Sequence, residues 1–519
     1  MKNKFFKISI AASLLLSLSS VNISCTDADL EEKTNPGTFL SENFFRNEQE
    51  CFFALVGTYD PLRKYAGGFE NLVTFYNAAS DDFYAGGGSA TDGAGIQGAS
   101  NFQINPNTMP ASYWSDYYQG IARANTLILR APNAVMDENT KSRFIAEAKV
   151  LRALYYFDLV RIFKNIPLIL KPFTASDDLF NVPQVAPTAI YAQIETDLLE
   201  AIPNLPIIVT GEQKGRLTQG AAKALLGKVY LYENKKSEAA AQLADVNGTP
   251  GGTSQYGYKL VANYADLFKS APVTEPNDPY KFSTESIIEV MHTNKASSDW
   301  SFWGQGKDEG NSICIMTAPR SYNRVIQQNP ADNAPDVVSG WAFNTVTTDL
   351  FNFMQNDPRR DATILNMNLL KQQGKADYSP AYMDTGYFFN KFMPTKDKMT
   401  NLPGPSELNY RQNYILIRLA DTYLMEAEAL NATGSRAQAL LDAVRARVGL
   451  ASVPVSLQAI KDERRRELAG EGHRFFDLVR WGEASTKLAS KGFVAGKNEI
   501  MPIPLTELTG TILKQNPGY

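Results

Sequence analysis

Residues 141–163 set the first limit on how this chain folds. Phe144, Ala148, Leu151, Tyr155, Leu159 and Ile162 recur in steps of three and four, the spacing of one helix face. The opposite face is apolar as well, and a helix that is apolar all round belongs in an interior. Pro167 is expected to close it. Other periodic stretches supply neighbours: 45–63, with Phe45, Phe52, Val56 and Tyr59 before Pro61, then 114–130, 188–201, 218–232, 413–432, 435–447 and 457–469. The helices 188–201 and 218–232 read as a pair. Each opens on a threonine, Thr188 and Thr218, of the kind that caps a helix. Ala221, Ala222, Ala224 and Gly227 are small enough to let a second helix approach closely. The expected fold class is mainly α.

Paired antiparallel helices of this kind resemble a tetratricopeptide-like solenoid, although the copies are degenerate and separated by inserts. Two stretches break the helical pattern. Residues 64–112, rich in Gly, Asn and aromatics around Gly86-Gly87-Gly88, read as a long loop, and long loops in compact proteins are commonly functional. Residues 245–410 read as an insertion of loops, short helices and few short strands such as 286–291. The C-terminus, with Pro502, Pro504 and Pro517, reads as extended.

The start of the chain reads as a targeting signal. Lys2, Lys4 and Lys7 precede an apolar run from Ile8 to Ser20 that is too short to span a bilayer core about 30 Å thick. Ser24-Cys25 then suggests a lipoprotein signal, with Cys25 taking the lipid. Asn22 stands where such signals usually carry Leu. Residues 1–24 are therefore read as a signal peptide, 25–40 as a flexible acidic tether with Asp27, Asp29, Glu31 and Glu32, and 41–519 as one body with halves at about 41–240 and 275–519. The two other cysteines, Cys51 and Cys314, are too few for a disulfide scaffold in a chain this long and are expected to be free. Net charge is −4 with the signs well mixed, which argues against a nucleic-acid surface. Membrane attachment is therefore left to the lipid.

Several motifs resemble the SusD/RagB family of lipoproteins. They are Glu147-Ala-Lys-Val-Leu-Arg-Ala-Leu-Tyr-Tyr-Phe157, Gly215-Arg-Leu-Thr-Gln-Gly-Ala-Ala-Lys-Ala-Leu-Leu-Gly-Lys-Val-Tyr230, Leu416-Ile-Arg-Leu-Ala-Asp-Thr-Tyr-Leu-Met-Glu-Ala-Glu428, the run from Glu463 to Gly482, and the ending Gln515-Asn-Pro-Gly-Tyr519. They span essentially the whole mature chain, in order. The resemblance implies a surface-exposed lipoprotein of the outer membrane. Such a protein binds glycans, or sometimes peptides, and caps a SusC-type TonB-dependent transporter. It also implies four tetratricopeptide-like helix pairs with the ligand site carried on loops.

Sugars present apolar faces ringed by hydroxyls, so a site needs aromatic rings and planar polar groups together. In such a family the loops supply them. Residues 64–90 offer Tyr65, Asp81, Asp82 and Tyr84, and 297–324 offers Trp300, Trp303, Arg320 and Tyr322. Trp114, Trp341 and Trp481 lie in periodic or motif segments and read as structural. So do the charged run 461–466 and the segment 357–361, with Arg464, Glu467, Arg474 and Asp477 expected to pin helices together.

Catalysis has little support. The two histidines, His292 and His473, are far apart, and there is no HExxH, CxxC or phosphate-loop ending. No cofactor is expected; a weak Ca²⁺ site on loop oxygens stays open. The alternatives are a periplasmic or surface helical-repeat scaffold that binds proteins or peptides, and a lipid-anchored glycoside hydrolase.

Overall fold

The computed structural model describes residues 44–174, 176–294 and 309–519. The chain divides into two units, Met1–Arg46 and Asn47–Tyr519. Of the first, only 44–46 are described, and the rings of Phe44 and Phe45 meet edge to face there. The signal peptide, Cys25 and the tether lie outside the described residues. Every regular element from Glu48 onward belongs to the second unit.

That unit is built on helices. In the first half these are α1 (Glu48–Tyr59), α2 (Leu72–Ala78), α3 (Ala94–Ser100), α4 (Ser112–Arg130), α5 (Glu138–Phe163), α6 (Pro187–Ala201), α7 (Gln219–Tyr232) and α8 (Lys236–Asn247). The all-apolar helix is α5, and every residue from Val150 to Val160 is buried. Asp137 caps its start, accepting the Thr140 amide at 2.8 Å. It ends at Phe163, before Pro167, because Lys164 turns to φ +66°. Helices α4 and α6 pack against it. Arg152 of α5 ties all three together: it donates twice to Asp197 of α6, at 2.8 and 2.6 Å, and once to Asn125 of α4 at 2.7 Å.

The small residues of α7 do what their size suggested. A Cβ at Gly227 would come within 2.6 Å of Leu243 on α8, so the two helices lie closer than any side chain there would allow. Thr218 caps α7, but Thr188 does not cap α6. Pro187 holds the first turn instead, with Ala186 as cap, a position where its missing N–H costs nothing. Helix α6 packs chiefly on α5 rather than pairing with α7, and α7 pairs with α8.

Short antiparallel ladders lie between helices, one in the first half and three that begin in the second. Strand β1 (Ile166–Pro167) pairs with β2 (Gln184–Val185), β3 (Ser286–Val290) with β8 (Tyr414–Arg418), β4 (Arg320–Arg324) with β6 (Ala376–Ser379), and β5 (Ile364–Asn366) with β7 (Tyr387–Phe389). The longer helices after β8 are α9 (Leu419–Ala429), α10 (Gly434–Arg447), α11 (Leu457–Glu467) and α12 (Arg474–Arg480). The expected helix at 413–432 is therefore a strand followed by a helix. All five residues of β8 are buried, so its apolar run merges with that of α9 and hides the boundary. The architecture is a tetratricopeptide-like helical scaffold with a loop-rich insertion. Among the described residues, no helix is long and apolar enough to cross a membrane.

The charged motifs form a buried lattice beneath this insertion. Arg418, 1 % exposed, bonds Glu285 at 2.9 Å, Glu467 at 2.5 Å and Glu471 at 2.8 Å. Arg359 bonds Glu463 and Glu467 at 2.6 Å each, and Lys391 bonds Glu471 at 2.7 Å. Arg464 bridges Asp421 at 2.7 Å and Asp477 at 2.9 Å. Burial alone would raise the pKa of Glu467, Glu471 and Asp477, but the adjoining cations outweigh it and hold all three below the usual carboxylate range. Cys51 and Cys314 are buried and free.

Candidate functional site

The predicted loop 64–112 is not featureless. It contains α2 and α3, and between them residues 82–87 run antiparallel to 342–347. Thr347 N donates to Asp82 O at 2.9 Å, Tyr84 N to Thr345 O at 2.9 Å, Asn344 N to Ala85 O at 2.8 Å and Gly87 N to Ala342 O at 2.8 Å. Two glycines make that approach possible. A Cβ on Gly86 would sit 2.1 Å from Ala342 O, and one on Gly87 would sit 2.7 Å from the Phe343 ring; both have positive φ. The turn beyond is tied by Gly88 N to Asp92 Oδ2 at 2.6 Å and by Gln97 Nε2 to Gly86 O at 2.8 Å.

This ladder brings planar and aromatic groups to one face. Trp341, next to Ala342, is half-buried, with its ring centroid 6.1 Å from that of half-buried Phe69. Phe69 meets Phe343 edge to face at 5.3 Å. Half-buried Arg320 lies over the glycine turn, with Nη1 3.1 Å from where a Gly88 Cβ would be. Tyr382, 37 % exposed, donates its backbone N–H to Gly87 O at 2.9 Å. Aromatic rings, a guanidinium and a tyrosine gathered around one glycine turn are the groups a sugar face and its hydroxyl rim require.

The predicted residues divide. Arg320 stands at this face, and half-buried Tyr84 is on the ladder leading to it. Trp300 and Trp303 lie outside the described residues. The chain on either side of them is held close by: Thr293 N donates to Glu309 O at 2.9 Å, Glu309 pairs with Arg63 at 3.1 Å, and Ser312 N donates to Ala66 O at 2.8 Å, three residues before Phe69.

Four expected ligand contacts have their side chains engaged with the framework, three of them buried. Tyr65 is 5 % exposed; its hydroxyl donates to Asp158 and its ring stacks on Tyr414 at 5.8 Å. Tyr322 is packed in a core cluster and donates to Pro335 O at 2.6 Å. Asp81 accepts two bonds from Arg474, at 2.8 and 2.7 Å, and Asp82, fully buried, accepts one from Arg465 at 2.7 Å. Burial raises the pKa of Asp82 more than its cations lower it. For Asp81 the balance reverses, because Arg474 binds it bidentately. Lys491 adds a third pin, its Nζ donating to the carbonyls of Ala78, Ser80 and Phe83 at 2.6, 2.5 and 2.6 Å. Tyr65, Tyr322, Asp81 and Asp82 thus hold the framework behind the face, because the aromatic and acidic composition of a loop says nothing about which way its side chains turn.

Trp341 was read as structural and is half-open on the face, whereas Trp114 is buried and Trp481 donates to Glu428 at 3.1 Å. The available signal was its setting, Ser339-Gly340-Trp341, in a segment without helical period. Among the described residues there is no cluster of His, Cys, Asp or Glu able to hold a metal ion.

Comparison with known proteins agrees with this architecture. Residues 284–498 match the SusD family, and 71–231 match a SusD-like family described as starch-binding and associating with the outer membrane. A solved laminarin-binding SusD-like protein is 59 % identical and superposes with a TM-score of 0.88, covering 91 % of this chain and 100 % of that one. Surface glycan-binding protein A of Bacteroides thetaiotaomicron, solved with laminarihexaose, is 26 % identical with a TM-score of 0.77, covering 90 % of this chain and 99 % of its own. A SusD-like protein of Formosa agariphila is 25 % identical over 88 % of each chain. On the fold, the motifs and the 59 % identity together, this chain belongs to the SusD family.

Proposed function

We propose that this protein is a non-enzymatic, cell-surface glycan-binding lipoprotein whose ligand is a β-glucan of the laminarin type. The observation that carries the reading is the half-buried Phe69–Trp341 pair near the glycine turn that Arg320 covers, in a chain 59 % identical to a laminarin-binding protein. Glucose rings would stack on the aromatic pair, and Arg320 and Tyr382 would meet the hydroxyl rim. Trp300 and Trp303 are proposed to add to this platform.

Anchored through Cys25 on the outer face of the outer membrane, the body would cap a SusC-type TonB-dependent transporter and deliver oligosaccharides to it. Titration calorimetry against laminarin, starch and a neutral glycan panel tests the ligand. Binding of laminarin that survives both Trp341→Ala and the double change Trp300→Ala, Trp303→Ala would sink the site. Protease shaving of intact cells tests the location: a body inside the outer membrane would be protected. Co-purification with a β-barrel transporter tests the partner, and isolation of the lipoprotein alone from gently solubilised membranes would count against it.

A further inference from the structure

The Phe69 ring has a second side. Behind it opens a cleft of about 540 Å³, lined among others by Glu70, Gly95, Pro110, Pro504 and Thr506. That volume lies in the range of about 300–1,000 Å³ usual for ligand sites. The two walls form one piece, because Leu505 N donates to Pro106 O at 2.9 Å and so joins the C-terminal segment to the 106–110 turn. Gly95 keeps the floor low: a Cβ there would reach to 3.2 Å of both Thr108 O and Pro110 Cγ.

The lining chemistry is selective. Phe69 offers the side of a half-buried ring, and the edges of the buried Pro110 and Pro504 line the wall. Thr506 is an exposed hydroxyl on the rim. Glu70 is oriented by Ser112, which donates to Oε2 at 2.7 Å, and its other oxygen has no partner among the described residues. The lining contains no lysine or arginine. A carboxylate without a cation favours hydroxyl donors and repels anions, so sulfated or uronate-bearing chains are disfavoured.

We infer that this cleft is a second glycan subsite, taking neutral sugar units that continue past Phe69 from the Trp341 face, so that the protein binds a longer segment than the aromatic pair alone. This rests on the glucan reading above and extends it to chain length and charge.

Calorimetry with laminaritriose and laminarihexaose on the purified protein tests it. The native chain should bind the hexamer at least about tenfold more tightly than the trimer, a difference of about 1.4 kcal/mol. Thr506→Trp, which fills the cleft from an exposed position, should erase that advantage and leave trimer binding unchanged. Asn107→Trp does the same from the opposite, exposed wall and serves if the first variant melts early. A hexamer advantage that persists in folded Thr506→Trp and Asn107→Trp overturns the subsite while leaving the Trp341 face standing. Failure of the native chain to bind either oligosaccharide overturns both.

Discussion

Replacing Gly86 by alanine tests whether the glycine turn is what presents the Trp341 face. Two separate costs follow from its geometry. Its φ is +70°, and an L-residue in that region costs roughly 1–2 kcal/mol. Its Cβ would also lie 2.1 Å from Ala342 O, a distance no real contact tolerates, so the turn has to leave the 342–347 strand. That move breaks Gly87 N to Ala342 O and Tyr382 N to Gly87 O, at about 1 kcal/mol each.

The total is about 3–4 kcal/mol, or about 3–4 °C in Tm for a unit of this size. Gly374→Ala is the matched control, since Gly374 has φ +65° with open space where a Cβ would go. Only the backbone cost applies there, about 1–2 kcal/mol. Differential scanning calorimetry and glucan titration on both variants should show a larger loss of stability and a loss of affinity in Gly86→Ala alone. Equal melting shifts, or native affinity in Gly86→Ala, would refute the reasoning.

Other consequences follow from the buried charges and thiols. Glu467→Gln leaves Arg418, Arg359 and Arg447 short of a counter-charge and should cost about 3–5 kcal/mol, read by denaturant unfolding. Because the folded pKa of Glu467, Glu471 and Asp477 is depressed, their contribution is complete above the unfolded values, 4.5 for Glu and 3.8 for Asp, and is lost as pH falls further. Stability should therefore decline below about pH 4.5, and less steeply in Glu467→Gln. Lys491→Met removes three hydrogen bonds from the 78–83 segment and should lower both Tm and glucan affinity. Burial pushes the Cys51 thiol up to about 11 and the Cys314 thiol up to about 12, so neither should react with a maleimide at pH 7 until the chain is unfolded.

What was legible in the sequence was whatever a single periodicity carries. Helix α5 announced itself because both faces are apolar over many turns, and α7 because its small residues sit where α8 crosses. The roles of Arg464, Glu467, Arg474 and Asp477 were legible because charges that dense inside helical motifs need partners. Strand β8 was hidden because a buried strand running straight into a buried helix has no change of composition at the join. The site was half legible. Arg320 and the glycine-rich turn lay where a loop site was expected, but Asp81 and Asp82 face Arg474 and Arg465, which lie more than 380 positions away in sequence. Pairing at that distance leaves no local trace, and neither does the antiparallel run of 82–87 against 342–347 that opens Trp341 to one side.

The Kd of Trp341→Ala for laminarihexaose, measured beside its Tm, tests the glucan-binding face most directly. Truncating a central aromatic anchor costs about 2 kcal/mol, roughly thirtyfold in Kd. The expected result is that loss of affinity with native melting, because Trp341 is half-buried and its backbone N–H, which donates to Ile315 O at 3.0 Å, is kept in the variant. Native affinity in a correctly folded Trp341→Ala protein would contradict the account.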